Sequence, residues 1–386
     1  MTNNVDASRC SIPLDQSATL IAVIEMGQAS WLVAGLVPGL ERQPLKKIAV
    51  DQDGLLQLLH RWRVEAVRAG HPIQRVAVAY EAGRDGFWLA RWLQAQNIEA
   101  YVIHASSVPV SREHRRAKTD RLDTELLKRA FLGWLRGETN HCSMATVPSQ
   151  EDEDARRPSR EREILVGECT RIVNRIKSNL ARLGIRGFKI TLSRAVERLA
   201  ALRTPEGTAV PPNTLEEMKR AIARLQSVKQ QIKEIEAARI THLDQSSSTE
   251  RGIMVQQLTQ VVGVGVESAD MLVQEVFLRP LRDRKAVARY AGLTGAPDES
   301  GQKRRERGLA KGGNARVRRA MIQLSWGHLV HQPNSPLATW YRQRTADARG
   351  GTRKTMVVAL ARKLLIALWR LATCGVVPEG FALRTA

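Results

Sequence analysis

Cysteine is scarce in this chain, and its four cysteines stand far apart. They are Cys10, Cys142, Cys169 and Cys374, and no two have the close spacing of a zinc site or a disulfide framework. The eight histidines likewise show no His-Glu-x-x-His ligand pattern. These absences argue against a disulfide scaffold and against the common zinc motifs, and they predict a reducing, cytoplasmic environment.

A long uninterrupted apolar run is also missing. The most apolar late stretch, 356–377, contains Arg362, Lys363 and Arg370, which a bilayer-spanning helix tolerates poorly. It therefore predicts an amphipathic packing helix. The first fifteen residues are polar and predict no secretory signal, so we expect no membrane partner.

Acidic residues are the minority charge: 39 Asp and Glu stand against 60 Lys and Arg, which leaves a net charge of +21. Such an excess predicts a polyanionic partner, with nucleic acid first. An acidic membrane surface and a solubilising or ribosome-like role are the alternatives. With 386 residues, 43% of them hydrophobic, the chain can build two or three domains with cores of their own.

Hydrophobic periodicity in the first third predicts alternating strands and helices. The predicted strands cover 19–24, 31–37, 47–50, 75–80 and 98–103, and the predicted helices cover 55–69, capped by Asp53, and 87–96. Strand, strand, strand, helix, strand, helix, strand is the order of an RNase H-like α/β domain. A basic helix over 115–135 follows.

The remainder of the chain is predicted to be helical. A charged run over 151–157 predicts a loop that enters a helix over 160–183, and the periodicity of 215–243 predicts an antiparallel helical arm or coiled coil. The fold class is therefore α/β plus all-α. We predict an acidic-site domain over 17–185, an arm with linker over 186–250, a basic helical domain over 251–346, and a helix with tail over 347–386.

Four acidic residues occupy positions that favour a shared metal site. Glu25 and Glu81 end the first and fourth predicted strands, and Asp120 and Asp123 share one face of the following helix. Neighbouring first and fourth strands would bring Glu25 and Glu81 together near that helix. Carboxylates so placed repel one another unless cations lie between them, and paired Mg²⁺ ions can activate a phosphodiester. For any one acid alone, a surface charge or a helix cap is the better interpretation.

Gly263 and Gly265 mark a tight turn before a helix predicted over 267–276. Glycines permit such a turn, and helix N-terminal amides bind a DNA phosphate in a helix-hairpin-helix. A dinucleotide-binding fingerprint does not fit, because no third glycine follows in place. A purely structural turn remains the equal alternative.

Ser300 lies beside a glycine in a predicted loop, within the most basic part of the chain. Residues 279–319 hold thirteen Lys and Arg against four acids. The predicted nucleic-acid contacts are Lys303, Arg304, Arg305, Arg307, Lys311, Arg316, Arg318 and Arg319. Guanidinium groups bind phosphate and stabilise its transition state. From the residues alone, a phosphate-binding loop with an incidental serine is favoured over a nucleophile, since serine is common in surface loops.

Four other residues carry weaker interpretations. His104 and His114 lie near the acids in sequence, and a structural role is an equal alternative for both. Trp340 and Tyr341 could stack on a base, although packing is favoured. Tyr341 as a recombinase nucleophile would leave the four acids without a function.

Taken together, these motifs resemble the IS-one-ten family of insertion-sequence transposases. The stretches that carry the resemblance are Tyr80-Glu81-Ala82-Gly83, Arg116–Asp123, Val262–Gly265, Tyr290–Leu293 running on to Ser300-Gly301, and Lys311–Asn314. They span about 19–345, most of the chain. Their order along one chain is more specific than any single stretch.

The resemblance implies an N-terminal RuvC-like domain, a coiled-coil arm and a C-terminal domain with a catalytic serine. It implies Glu81, Asp120 and Asp123 as metal-binding acids and Ser300 as the nucleophile that joins covalently to a DNA phosphate. The family usually has Asp at the first acidic position, where this chain has Glu25. It also implies DNA partners (element ends and target), a guide RNA, and a homodimer or homotetramer in which the acids of one subunit meet the serine of another.

Two alternatives remain. In a metal-dependent nuclease or junction resolvase, water would attack and Ser300 would only bind phosphate. In an inactive nucleic-acid-binding protein, an RNase H-like shell would survive without catalysis.

Overall fold

The structure is a computed structural model that describes residues 10, 12–108, 119–138, 141–190, 194–300, 303–310, 312–347 and 350–384, with the backbone alone at 297–300, 303–307 and 350–351. The chain divides into two compact units, Met1–Gln150 and Glu151–Ala386. Across the described residues, no helix is both long and apolar enough to cross a bilayer.

The first unit follows the predicted order of strands and helices. Its elements are β1 Thr19–Met26, β2 Trp31–Leu36, β3 Leu45–Ile48, α1 Gln52–Arg68, β4 Arg75–Glu81, α2 Trp88–Ala95, β5 Glu99–Ile103, α3 Asp120–Leu135 and β6 Met144–Ala145. The six strands form one sheet in the order β3-β2-β1-β4-β5-β6. β1 is antiparallel to β2 and parallel to β4, so the first and fourth strands are neighbours, as predicted.

Strand β1 is buried on both faces. Leu20, Ala22 and Ile24 belong to the core that includes α1 and α2, whereas Ile21 and Val23 belong to the core that includes α3. Side chains alternate between the faces of a strand, so a strand covered on both sides needs a continuous apolar run. The run from Leu20 to Ile24 meets that need and predicts a central strand.

Two details of the first unit differ from the predictions. Asp51, rather than Asp53, caps α1: its carboxylate accepts the backbone N–H groups of Asp53 and Gly54 at 3.1 and 2.9 Å. Asp53 lies inside the first turn, where a negative charge favours the helix dipole but cannot cap. β3 begins two residues before its predicted start because pairing with β2 sets its register at Leu45 and Ile48.

Among the described residues of the second unit, the named elements are helices and one β-hairpin. Its elements are α4 Gln150–Ala155, α5 Arg157–Arg182, α6 Ala195–Ala200, α7 Pro212–Gln245, α8 Glu250–Thr259, α9 Val266–Leu272, a π turn Val273–Phe277, α10 Arg284–Tyr290, β7 Gly295–Ser300, β8 Lys303–Leu309, α11 Ala315–His331, α12 Pro336–Thr345 and α13 Gly350–Cys374. The charged run predicted as a loop forms α4, since acids in a first turn stabilise a helix. The helix predicted over 267–276 changes to π geometry at Val273.

Helices α5 and α7 form an antiparallel pair. Polar contacts join Asn179 to Glu217 near one end and Ser159 to Arg239 near the other. Buried Ile176, Leu180, Met218, Ile222 and Leu225 fill the space between them. Because α5 packs on α7, the compact units divide at 150–151, ahead of the predicted boundary at 185–186. The four-part division and the coiled coil remain predictions.

The core of the second unit lies around α13. Leu364, Leu365 and Leu368 of this helix are buried, and α13 packs against α8, α10 and α11, whereas Lys363 and Arg370 are exposed. The amphipathic packing helix predicted for this stretch is therefore confirmed.

Candidate active-site and nucleic-acid-binding residues

The structure brings Glu25 and Glu81 together at one edge of the sheet. In the parallel pair β1 and β4, Ile24 lies opposite Tyr80, so the next residues, Glu25 and Glu81, leave the two strands side by side. Both glutamates line one cavity of about 340 Å³, together with Gln28 and Arg84. Val23 and Ala79 belong to the core that includes α3. Glu25 and Glu81 lie two residues after them on their strands, so they are on the same face of the sheet.

The two aspartates of α3 lie in its first turn, at the opposite end of the helix from Trp134. The last turn of α3 lies at the start of β4, since Cys10 donates its backbone N–H to Trp134 at 3.0 Å and its sulfur lies 4.0 Å from the Arg75 guanidinium. From Trp134 back to Asp120 the helix is about 21 Å long. From Arg75 to Glu81, β4 rises about 20 Å. A helix that ran antiparallel to β4 over this length would have its first turn level with the carboxyl ends of the strands.

Asp120 and Asp123 continue the stripe of α3 that faces the sheet. They precede buried Leu127 by seven and four residues, which places all three on one face. Asp120 is exposed and Asp123 is half-buried. Thr119 caps the helix by accepting the Leu122 N–H at 3.3 Å. His114 lies outside the described residues.

The four acids do not form a closed metal cage. Among the residues that the structure describes, no three His, Cys, Asp or Glu side chains are grouped closely enough to hold a metal ion. Asp120 and Asp123 also do not line the cavity of Glu25 and Glu81. The donors are nevertheless all carboxylate oxygens, the ligands that Mg²⁺ prefers.

Gly263 and Gly265 shape the connection between α8 and α9. Gly263 has φ +87°, a left-handed backbone that favours glycine, and Gly265 caps α9 with an extended backbone. The tight turn and the following helix that the sequence predicts are therefore present.

The C-terminal tail holds this turn, a contact that the sequence gives no local signal for. Ala382 accepts the Val262 N–H at 3.0 Å, and Arg384 donates its N–H to Gln260 at 2.7 Å. Buried Gln332 bridges both segments, donating to the Val262 carbonyl and accepting from Ala382 N–H at 2.7 and 2.9 Å.

Ser300 ends a β-strand, so the loop predicted around it is wrong. Strands β7 and β8 form an antiparallel hairpin in which Ser300 lies opposite Lys303 at the turn. Asp298 and Glu299 lie at register positions opposite Arg305 and Arg304. Arg307 lies farther along the same β8 strand.

The two glycine-rich motifs meet at the base of this hairpin. Gly313 has φ +85°, and a Cβ there would lie 2.4 Å from the Gly292 backbone nitrogen. Asn314 donates its N–H to the Tyr290 carbonyl at 2.6 Å. The Arg318 guanidinium donates a hydrogen bond to the Gly312 carbonyl at 3.3 Å. Lys311 lies outside the described residues.

Glu275 is a buried acid that the sequence analysis missed. Its side chain is 2% exposed and accepts from Arg160 Nε at 2.9 Å and Asn314 Nδ2 at 3.3 Å. Burial alone would raise its pKa, but hydrogen bonding to Arg160 and the charges of Arg160, Arg316 and Arg156 hold the pKa below its ordinary value. Its neighbours in sequence carry no charge and give no sign of this ionic environment.

Tyr341, Trp340 and His104, the residues with weaker functional interpretations, each contact other parts of the fold. Tyr341 is 7% exposed, and its hydroxyl lies 3.5 Å from the Arg353 carbonyl. The Lys363 ammonium lies 4.9 Å from the centroid of the Trp340 ring. His104 donates its backbone N–H to Ser143 at 2.9 Å. In the structure, Trp340 and Tyr341 pack within the protein, as the sequence favours.

Comparison with known proteins gives three matches. A family described as "Transposase IS116/IS110/IS902 family" matches residues 255–339, and a second transposase family, of the IS110 DEDD type, matches 40–185. The chain is 38% identical over 387 aligned positions to a Sinorhizobium fredii protein named "Putative transposase y4rJ". That alignment covers 97% of each protein.

Proposed function

Because the chain belongs to the IS116/IS110/IS902 family of insertion-sequence transposases, we propose that it cuts and rejoins DNA strands through a covalent intermediate on Ser300. The observation that carries this proposal is the position of Ser300 at the end of β7, opposite Lys303 on a β8 strand rich in arginine. Guanidinium groups beside a phosphodiester neutralise the charge that develops in its transition state.

The reaction would proceed in two balanced steps. The Ser300 hydroxyl loses its proton as its oxygen attacks a DNA phosphorus; a serine phosphodiester forms, the bond from phosphorus to one sugar oxygen breaks, and that oxygen takes up a proton. A hydroxyl of the joining strand then attacks the same phosphorus, which releases Ser300 and restores a phosphodiester. The bond energy is kept in the serine ester, so the cycle needs no external energy source.

The acidic residues would prepare the phosphate for this attack. Glu25, Glu81, Asp120 and Asp123 would hold divalent cations, for which Mg²⁺ is the species we propose. Such cations polarise the phosphoryl oxygens and stabilise the leaving oxygen. Glu25 has one more methylene than aspartate, so its carboxylate would reach farther from the end of β1.

The partners that we propose follow from the charge and the family. A net charge of +21 suits two polyanions, the DNA of element ends and target and a guide RNA. The acids belong to the first compact unit and Ser300 to the second. We propose a composite site in a homodimer or homotetramer, with acids from one subunit and Ser300 from another, and an N-terminal fold of the RuvC type.

The test is a gel assay for a denaturation-resistant protein–DNA adduct, with element-end DNA, its flanking RNA and Mg²⁺. Ser300→Ala should abolish the adduct and leave DNA binding intact. Ser248→Ala, an exposed serine beyond α7, is the matched control and should keep the adduct. Normal strand joining by Ser300→Ala would disprove the mechanism.

A metal-dependent nuclease that activates water is the second candidate. It is favoured by the position of all four acids within one compact unit that has its own core. It predicts that Asp120→Asn abolishes cutting while Ser300→Ala still cuts and no adduct forms. Tight binding without cutting under any metal condition would instead indicate an inactive binding protein.

A further inference from the structure

Helix α11 presents a basic and aromatic stripe on one face. Arg316, Arg319, Gln323, Trp326 and Val330 are separated alternately by three and four residues, the spacing of one helical face. The opposite face is the buried one. The Arg319 side chain is 63% exposed, Trp326 is 47% exposed and Val330 is 73% exposed. The stripe therefore combines guanidinium groups with an accessible indole.

Trp326 is held in place while much of its surface stays accessible. Its ring packs against Tyr341 of α12 with centroids 6.3 Å apart and planes at 76°. Tyr341 is itself buried, so the contact fixes one side of the indole against the core. A positioned and half-exposed tryptophan is a suitable platform for stacking a base.

Glu163 of α5 binds the guanidinium groups of Arg316 and Arg319 at the other end of the stripe. One of its carboxylate oxygens bonds Arg316 Nε and the other bonds Arg319 Nη1. A phosphodiester also presents two charged oxygens, and the guanidinium fork binds carboxylate and phosphate with the same geometry. Glu163 thus lies where a phosphate of a bound strand would lie.

The contact lies at a groove within the second unit. A cavity of about 460 Å³ is lined by α5, α9 and α11, including Arg162, Glu163, Thr170, Arg319 and Gln323. Along the axis of α11, Arg319 and Trp326 are about 10 Å apart. A strand that follows the stripe would contact the guanidinium groups with its backbone and Trp326 with a base.

We propose that this stripe binds a single-stranded segment of nucleic acid, with a phosphate displacing Glu163 from Arg316 and Arg319 and a base stacking on Trp326. Stacking needs an unpaired base with an open face, which a duplex does not offer. The proposal rests on the proposed function insofar as the chain handles nucleic acid, and it names a site away from Ser300. Displacement of Glu163 would also loosen one tie between α5 and α11.

Fluorescence anisotropy without Mg²⁺ tests the proposal, using the full-length protein and labelled 12-nucleotide single-stranded RNA, single-stranded DNA and duplex DNA. Glu163→Gln should tighten single-strand binding several-fold, because it removes the competing charge. Trp326→Leu, which keeps an apolar contact with Tyr341, should weaken single-strand binding about tenfold, in the range known for loss of a stacked base. Duplex binding should change little in either variant.

Glu161→Gln is the matched control, an exposed glutamate on α5 that does not line the groove, and it should leave the affinity unchanged. The RNA and DNA arms identify which strand the stripe prefers. Unchanged single-strand affinity in both Glu163→Gln and Trp326→Leu would overturn the proposal, and so would equal effects on duplex DNA. The assay involves no strand joining, so loss of the Ser300 adduct and failure of the stripe are separate results.

Discussion

The amide of Asn314 donates to the carboxylate of buried Glu275 at 3.3 Å, which ties the base of the Ser300 hairpin to the π turn after α9. Arg160 of α5 binds the same carboxylate at 2.9 Å. One acid therefore joins α5, the π turn and the base of the hairpin. Short π segments are often found at functional sites, and here the π turn carries this acid.

Glu275→Gln tests the strength of this junction. We expect the free energy of unfolding to fall by about 2 to 3 kcal/mol, because Arg160 and Arg316 lose a charged acceptor inside the fold. Urea denaturation measures the change, with Glu161→Gln as the exposed control on α5. A loss below about 0.5 kcal/mol, the ordinary range for surface substitutions, would mean that the junction contributes little.

Gly313→Ala should disrupt the hairpin base. The residue has φ +85°, and the new Cβ would lie 2.4 Å from the Gly292 nitrogen, so the backbone must shift. We expect at least about 1 to 3 kcal/mol of lost stability from strain. Gly312→Ala is the control, since its Cβ would meet nothing within 4 Å. Equal melting temperatures for the two variants would contradict the close packing.

The stability of the second unit should depend on the protonation of His328. Burial lowers the pKa of this histidine, whose Nε2 lies 2.8 Å from the Ser335 hydroxyl. The unfolded chain then binds a proton more readily than the folded chain, so stability falls as pH drops below the ordinary value of 6.5. Melting temperatures between pH 7.5 and 5.5 should fall less steeply in His328→Gln than in wild type. His242→Gln, at an exposed arm position, should keep the wild-type slope.

Asp51→Ala should destabilise the first unit by about 1 kcal/mol, the usual effect of losing an N-cap. Asp53→Ala should cost less, because Asp53 contributes only its charge to the first turn. Chemical denaturation of both variants measures the difference. A larger loss in Asp53→Ala would restore that residue as the cap.

The sheet was predictable because its signals are local. The apolar run from Leu20 to Ile24 and the strand ends at Glu25 and Glu81 predict neighbouring parallel strands, and the structure has them. Parallel strands place their carboxyl ends together, so the shared position of these two acids followed. That Asp120 and Asp123 belong with these two acids remains a prediction.

The hairpin and the buried charges could not be predicted in the same way. β8 is rich in arginine and lacks alternating apolar residues, so no periodic apolar pattern marks it as a strand. Glu275 depends on Arg160, more than one hundred residues earlier, and Gln332 depends on the tail at Ala382. Such contacts are non-local and leave no periodic signal in sequence.

The most direct test of the central claim is to map the residue that carries DNA in the covalent adduct. The trapped adduct would be digested with nuclease and trypsin and analysed by tandem mass spectrometry. We predict a nucleotide on Ser300 in the peptide from Tyr290 to Lys303, whose only serine is Ser300. A nucleotide on Tyr341 or on any other residue would contradict the serine mechanism, and so would strand joining without any modified peptide.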